Sequence, residues 1–184
     1  MGVLQAIINE LVENGKQVDE AQIDRMVDAV LAAKRVFVAG AGRSGFAARA
    51  FSNRLMHMGA TVFFVGEPTT PSIREGDLLV IGSGSGTTAG LVTMAQKAVA
   101  EGADVATITM SPEGSIGRLA KTVVVLPGVS NKTEGFVEDE DAVQPTGNSF
   151  EQMSWLVYDT VNTKVKRKLG VKEEEMKYRH ANLE

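Results

Sequence analysis

Residues 1–34 carry apolar side chains at helical spacing. A first set recurs every three or four residues and stops before Gly15, which is typical of a helix and its C-terminal end: Leu4, Ile7, Ile8, Leu11 and Val12. A second set predicts a helix that starts near Asp19, where Gln22 three residues later suggests a capping box: Ile23, Met26, Val27, Val30 and Leu31. Together the two sets predict an N-terminal helical hairpin.

After residue 35 the pattern changes to short, continuous apolar runs. Such runs, rich in β-branched residues, are typical of strands buried on both faces: VFVAG at 36–40, TVFFVG at 61–66, LLVIG at 78–82, DVATIT at 104–109 and TVVVLPG at 122–128. Helical stretches are predicted between them at 46–58, 89–100 and 115–120, and a long one at 150–169. The sequence therefore predicts five strands in alternation with helices.

Strands that alternate with helices pair in parallel, because a crossover is needed to return to the same end of a sheet. The predicted fold class is α/β, a three-layer α/β/α sandwich with a five-stranded parallel sheet. We divide residues 1–184 into a helical hairpin (1–34), a sheet core (35–127), an acidic loop (128–147) and a C-terminal helix with its tail (148–184). One domain of this length buries a sizeable core.

Composition narrows the function classes. The 184 residues include no cysteine, which excludes disulfides, thiolate metal sites and cysteine nucleophiles. The formal net charge of −4 argues against a nucleic-acid partner, and the basic cluster at 164–168 is followed at once by acidic residues. No apolar run approaches the roughly 20 residues of a membrane span, and residues 1–15 do not resemble a secretory signal. We expect a cytoplasmic protein without a membrane partner.

The first of two glycine turns, GAGRSG at 40–45, follows a strand and precedes a helix. This pattern matches the dinucleotide fingerprint. In dinucleotide-binding proteins an acidic side chain about 20 residues after the motif binds the ribose, and Glu67 lies 22 residues beyond Gly45. However, Glu67 falls in a Pro/Thr turn rather than at a strand tip, and the chain leaves no room for a substrate domain. A dinucleotide enzyme stays as one alternative.

The second glycine turn, GSGSGTT at 82–88, is better suited to a phosphate group. Its glycines let backbone N–H groups approach an anion, and the following helix presents its positive end. Four hydroxyls are available to donate hydrogen bonds: Ser83, Ser85, Thr87 and Thr88. No lysine follows the glycines, so a nucleotide P-loop is not indicated. We expect a phosphomonoester here, the alternative being a plain tight turn with a capped helix.

The pairing of VFVAGAGRSG with VIGSGSGTT on successive α/β units resembles the sugar isomerase (SIS) domain. More narrowly, the sequence resembles the 6-phospho-3-hexuloisomerase family over nearly the whole chain, through FVAGAGRSG, RLMHMG, VGEPTTP, IGSGSGTT, QPTGNSFEQ and RHANLE. Thr146 and Asn148 depart from the residues usual in that family. The resemblance implies a single SIS domain with a flavodoxin-like, doubly wound sheet.

The reaction implied by the resemblance moves a carbonyl between carbons 3 and 2 of a phosphorylated ketohexose, giving fructose 6-phosphate in ribulose monophosphate formaldehyde fixation. Such a shift needs a general base near the carbon that loses its proton, a hydrogen-bond donor to the enediolate and a site that binds the phosphate. It needs no metal or redox cofactor. Glu151 is the expected base, because it opens the last helix and SIS isomerases carry a glutamate in a matching place. The alternative is a Glu that complements its own helix dipole.

Three further residues are candidates at this site. His57 lies thirteen residues after Ser44, roughly 20 Å from the turn at about 1.5 Å per residue, and so serves a neighbouring subunit's site or is an interface histidine. His180 is favoured slightly, because a polar tail can reach another subunit. Arg43 contacts the enediolate or sugar hydroxyls, or is an ordinary surface arginine. Gly42 and Ser44 complete the expected substrate contacts.

Exposed apolar surface on the helical hairpin and the last helix predicts a homodimer or homotetramer with active sites shared across interfaces. The acidic stretch VEDEDA at 137–142 is a solvated connection or a segment that orders over substrate. Two rival functions stay open: a non-catalytic sugar-phosphate sensor, and an SIS isomerase of another sugar phosphate. Glu151, as a candidate general base, favours an isomerase over a non-catalytic sensor.

Overall fold

Five parallel strands form one sheet: β1 (Val36–Gly40), β2 (Val62–Phe64), β3 (Leu78–Gly82), β4 (Asp104–Thr109) and β5 (Thr122–Val125). The strand order is β2-β1-β3-β4-β5, so the chain steps outward from β1 to β2 and then crosses back to β3. This order confirms the predicted flavodoxin-like sheet. In such sheets a ligand crevice lies where the direction reverses, beyond the carboxyl ends of β1 and β3.

Seven helices accompany the strands in the part of the chain that the structure describes: α1 (Val3–Gly15), α2 (Glu20–Ala32), α3 (Gly42–His57), α4 (Ala89–Ala100), α5 (Ser115–Leu119), α6 (Asn148–Leu169) and α7 (Glu173–Tyr178). The structure is a computed structural model and describes residues 2–130, 132, 136–137, 140 and 142–183. Part of the predicted acidic stretch, at 138–139 and 141, lies outside the described residues.

The sheet is covered on both faces, which confirms the three-layer sandwich. Alternate residues of β1 and β3 point to opposite faces, as in any strand. Val38 and Val80 belong to the core formed with α2, α3 and α6. Phe37 and Leu79 belong to a second core formed with α4 and α5. Among the described helices, none combines the length and hydropathy needed to cross a membrane.

The element bounds differ from the sequence predictions at a few points. α3 begins at Gly42 rather than at Phe46, and α7 lies in a region predicted as a polar tail. The N-terminus of α2 is capped by Asp19, which accepts a hydrogen bond from the Ala21 N–H at 2.8 Å. The predicted role of Gln22 in a capping box is wrong, because its side chain instead accepts a 2.7 Å hydrogen bond from the Val125 N–H and ties α2 to the edge strand β5.

Candidate active site

A cavity of about 330 Å³ opens at the carboxyl end of the sheet, where the order of the strands reverses. Both glycine turns form its floor, and the loop after β5 and the start of α6 form its walls. Six of the ten predicted site residues line it: Gly42, Ser44, Ser83, Ser85, Thr88 and Glu151. The structure therefore brings the predicted phosphate-binding turn and the predicted base to one cavity.

Three helix N-termini open on this cavity without side-chain caps. The residues that precede α3, α4 and α6 are Ala41, Thr88 and Gly147, and none of them makes a capping hydrogen bond through a side chain. All three border the cavity. Because the first N–H groups of a helix lack intrahelical partners and carry partial positive charge, the cavity offers unsatisfied donors from three directions. This arrangement suits an anion.

Backbone hydrogen bonds fix the second glycine turn, residues 82–88, which follows β3 and is called the β3 turn below. The Ser83 N–H donates to the Ile108 carbonyl at 3.1 Å, and the Gly86 N–H donates to the Ser83 carbonyl at 3.2 Å. Gly86 has φ +63°, a left-handed conformation that favours glycine. Thr87 is exposed and does not border the cavity, and its N–H lies 3.4 Å from the Ser85 hydroxyl. The cavity therefore meets the side chains of the turn except that of Thr87.

The first glycine turn, residues 40–45, follows β1 and is called the β1 turn below; its match to a dinucleotide fingerprint has a packing explanation. A Cβ on Gly40 would lie 2.8 Å from the Gly45 Cα, so both glycines are needed for the close approach of β1 and α3. Glu67, the residue suggested for ribose, is bound to Arg49 and does not border the cavity. The dinucleotide alternative therefore lacks its acidic ligand here, and the glycines are explained by helix–strand packing.

Glu151 lies in the first turn of α6, and its carboxylate pairs with Arg43 from the β1 turn. The Arg43 Nε–H donates to Glu151 Oε2. The side chain of Glu151 is 19% exposed and borders the cavity, whereas that of Arg43 is 63% exposed. Arg43 itself does not border the cavity. It holds the Glu151 carboxylate in one orientation.

The loop before α6 is anchored by α1. The buried Gln144 donates from Nε2 to the Glu10 carboxylate at 3.0 Å and to the Gln152 side-chain oxygen at 3.0 Å. Asn14 donates to the Ser149 hydroxyl at 2.8 Å. These bonds join α1 to both sides of the turn that carries Glu151. The segment QPTG at 144–147 therefore helps to fix the position of the start of α6.

The sequence analysis did not assign several residues of the cavity wall to the site: Met110, Ser130, Lys132 and Phe150. Thr146, which it named only as a departure from the family, also borders the cavity. Lys132 is the one basic side chain among the described residues that line the cavity. Its segment shows no periodicity, so no sequence signal indicated that it meets the glycine turns. Within the described ranges, no group of three or more His, Asp or Glu side chains is arranged to hold a metal ion.

The two histidines lie together at the other end of α3. The rings of His57 and His180 stack with centroids 4.9 Å apart and an interplanar angle of 13°. Burial lowers the pKa of His57, and the charges of His180 and Arg54 lower it further. The cavity lies at the N-terminal end of α3, so neither ring borders the cavity of its own protomer. Their predicted catalytic role in a neighbouring subunit's site stays a prediction.

Comparisons with known proteins agree with this arrangement. The chain is 42% identical over 179 residues to a Bacillus subtilis protein named 3-hexulose-6-phosphate isomerase, covering 97% of this chain and 95% of the relative. It is 39% identical to a Mycobacterium gastri protein of the same name, covering 98% and 89%. A Methanococcus jannaschii crystal structure, whose description infers the same molecular function, superposes with a TM-score of 0.82 at 31% identity and covers 98% of both chains.

The sequence profile of the SIS domain matches residues 30–138, which span the five strands and both glycine turns. That match covers more than half of the chain, and the two named relatives extend the similarity to nearly its full length. The chain therefore belongs to the SIS domain family.

Proposed function

We propose that this protein is an isomerase that interconverts 3-hexulose 6-phosphate and fructose 6-phosphate, as a step of ribulose monophosphate formaldehyde fixation. The observation that carries the proposal is a carboxylate, Glu151, at the edge of a cavity onto which three uncapped helix N-termini open. The names of the full-length relatives support the same activity. The cytoplasmic location expected from the sequence stays part of the proposal.

The β3 turn is the proposed seat of the phosphate. The hydroxyls of Ser83, Ser85 and Thr88 and the N-terminus of α4 surround this part of the cavity. Each hydrogen bond to a charged group contributes about 1.5–3 kcal/mol. Several such bonds together hold a phosphate monoester without a metal ion.

Glu151 is the proposed general base. It removes the proton from carbon 2 of 3-hexulose 6-phosphate, and the electrons of that C–H bond form an enediolate across carbons 2 and 3. The hydroxyl proton on oxygen 2 then moves to oxygen 3. Return of the first proton from Glu151 to carbon 3 leaves a carbonyl at carbon 2 and a hydroxyl at carbon 3, which gives fructose 6-phosphate. Positioned general bases typically contribute about 10²–10⁴-fold to the rate.

Two cations are placed to balance the negative charge of the reacting complex. Arg43 already contacts the Glu151 carboxylate from outside the cavity. Lys132 approaches from the loop after β5, on the cavity side. We assign Arg43 to the orientation of the base, and Lys132 to charge stabilisation of the phosphate or the enediolate, because a phosphate dianion and a carboxylate in one cavity otherwise repel each other.

A homo-oligomer with shared sites is part of the proposal. Phe46 on α3 is 70% exposed and Trp155 on α6 is 46% exposed, and both border a second cavity of about 430 Å³. Glu151 and Arg43 border this second cavity as well. Exposed apolar surface of this kind is typical of protein interfaces. A second copy seated there lies beside the reacting carboxylate.

The proposal is tested by supplying the substrate enzymatically. The protein is mixed with a 3-hexulose-6-phosphate synthase, ribulose 5-phosphate and formaldehyde, and fructose 6-phosphate is measured over time. We expect rapid formation of fructose 6-phosphate that depends on both proteins. Arabinose 5-phosphate serves as a matched alternative substrate, and binding of fructose 6-phosphate is followed by calorimetry in the same preparation.

Each rival function has its own result in this experiment. Turnover of arabinose 5-phosphate without formation of fructose 6-phosphate would assign the protein to a different sugar phosphate. Binding of fructose 6-phosphate with no turnover of either substrate would identify a sensor. Either result overturns the proposed isomerase activity.

A further inference from the structure

Tyr158 lies beneath the floor of the active-site cavity. It follows Glu151 by seven residues on α6, which is about two helical turns, so the two side chains leave the same side of the helix. The ring is fully buried and stacks on Phe51 of α3, with centroids 4.6 Å apart and an interplanar angle of 23°. Tyr158 therefore joins the helix that carries the base to the helix that carries the β1 turn.

The hydroxyl of Tyr158 reaches the point where the two glycine turns meet. A Cβ placed on Gly82 would lie 2.7 Å from this oxygen and 3.8 Å from the Ser44 carbonyl oxygen. Gly82 is also paired with Gly40 across β3 and β1, at the last position of both strands. The Tyr158 oxygen thus lies against Gly82, the last residue of β3, whose strand partner Gly40 is the last residue of β1. The absence of a side chain at Gly82 makes this contact possible.

This hydroxyl has no hydrogen-bond partner among the described residues. Burial raises the pKa of Tyr158, so the hydroxyl keeps its proton and remains a donor. An unpaired buried donor destabilises a fold, and phenylalanine fills the same space without one. Folding alone therefore does not account for the oxygen atom. A partner that forms when the cavity is occupied does account for it.

We propose that Tyr158 is a positioning residue whose hydroxyl donates a hydrogen bond to the Ser44 carbonyl oxygen when a phosphate ester draws the β1 and β3 turns together. The bond fixes both turns relative to Glu151, since Tyr158 and Glu151 belong to one helix. This role rests on the proposed isomerase activity. It adds a link between phosphate binding and the placement of the base.

The first test is Tyr158→Phe, with Tyr178→Phe as the matched control, because Tyr178 is the only other tyrosine of the chain and is 90% exposed. We expect kcat of Tyr158→Phe to fall about tenfold, within the roughly 10²-fold that a 1 Å misplacement can cause. The melting temperature stays equal or rises, because an unpaired donor is removed. The control variant keeps both values.

Two outcomes overturn the inference while the isomerase activity stands. An unchanged kcat in Tyr158→Phe removes any role for the hydroxyl in the reaction. A kcat loss accompanied by a matching fall in melting temperature assigns the hydroxyl a structural role only. If the wild-type protein forms no fructose 6-phosphate, the proposed isomerase activity is wrong. That result differs from the two outcomes above, in which the wild-type protein is active.

A second test examines the contact itself and needs no activity. Gly82→Ala places a methyl group 2.7 Å from the Tyr158 oxygen, so we expect a lower melting temperature. In Tyr158→Phe the nearest remaining atoms, the ring carbon Cζ and the Ser44 oxygen, lie 3.8 Å away, which is ordinary contact. The double variant should therefore recover most of the loss. Strictly additive losses would contradict the placement of the hydroxyl against Gly82.

Discussion

The two ends of α3 are built in opposite ways. At its N-terminal end no side chain caps the helix, and Ser44 borders the cavity. At its C-terminal end the chain closes the helix on itself. The Met58 N–H bonds the Arg54 and Leu55 carbonyls, and Arg179 donates to the His57 carbonyl at 3.3 Å. One end offers unsatisfied donors, and the other is covered by the protein's own tail.

This difference shows where binding energy is available in the molecule. An end that is satisfied by its own chain contributes to stability, because few of its polar groups lack partners. An end that is left open contributes less to stability and keeps its donors for a ligand. We therefore expect changes at the open end to alter catalysis, and changes at the closed end to alter stability, unless the histidines serve a neighbouring copy.

The largest effect is expected at the open end, from Glu151→Gln. The amide keeps the shape and an oxygen that can accept from Arg43, but it is not a base. We expect kcat for fructose 6-phosphate formation to fall by about 10²–10⁴-fold with little change in melting temperature. Glu67→Gln is the control, because it alters another exposed Arg–Glu pair that does not border the cavity. Wild-type turnover in Glu151→Gln would remove the carboxylate from the mechanism.

A smaller effect, about 10²-fold in kcat, is expected from His180→Gln if the histidine acts in a neighbouring copy's site. Co-expression of His180→Gln with Glu151→Gln tests this, because a shared-site dimer then contains some intact sites. Activity should return to about a quarter of the wild-type value, the statistical share of intact sites in such a dimer. An inactive mixture would exclude sites shared between Glu151 and His180. Full activity of the His180→Gln variant by itself would indicate that the C-terminal end of α3 contributes only to stability.

The smallest effect is a pH dependence of stability at the closed end. The pKa of His57 is lowered by burial and by the nearby charges of His180 and Arg54. A histidine whose pKa is lower in the folded state than in the unfolded state favours folding above its unfolded value of about 6.5, and this contribution is lost as the pH falls below it. We expect the melting temperature to fall between pH 8 and pH 5 by more in wild type than in His57→Gln, by about a few degrees.

His180→Gln provides the matched comparison for this pH dependence. It removes the ring that stacks on His57, and with it one of the causes that lower the pKa of His57, but leaves the buried ring of His57 in place. Its pH dependence should lie between those of wild type and His57→Gln. Identical curves for all three proteins would show that the histidine pair does not couple to folding.

Most of the fold could be predicted because its strands are continuous apolar runs. β1, β3 and β4 match the predicted runs residue for residue. α3 was predicted to start at Phe46 because Gly42, Arg43 and Ser44 do not belong to an apolar repeat. Its first turn is set by the close approach of Gly40 and Gly45, which is a tertiary contact. α7 was missed because it is polar apart from the buried Met176.

The cavity could be predicted only where a local motif carried the signal. The β3 turn combines glycine and hydroxyl residues in one short segment, so the sequence alone predicted that it belongs to the site. Lys132 and Ser130 follow β5 in a segment without periodicity, and only the fold brings them to the same cavity. The stacking of His57 on His180 joins residues that are far apart in sequence, and no spacing rule relates them.

α1 buries none of its residues fully, yet its Glu10 and Asn14 hold the segment that leads into Glu151. α1 therefore contributes little to the hydrophobic core but helps to position the Glu151 carboxylate. Attempts to shorten or redesign this part of the protein should be judged by turnover as well as by heat resistance, because the two properties separate here.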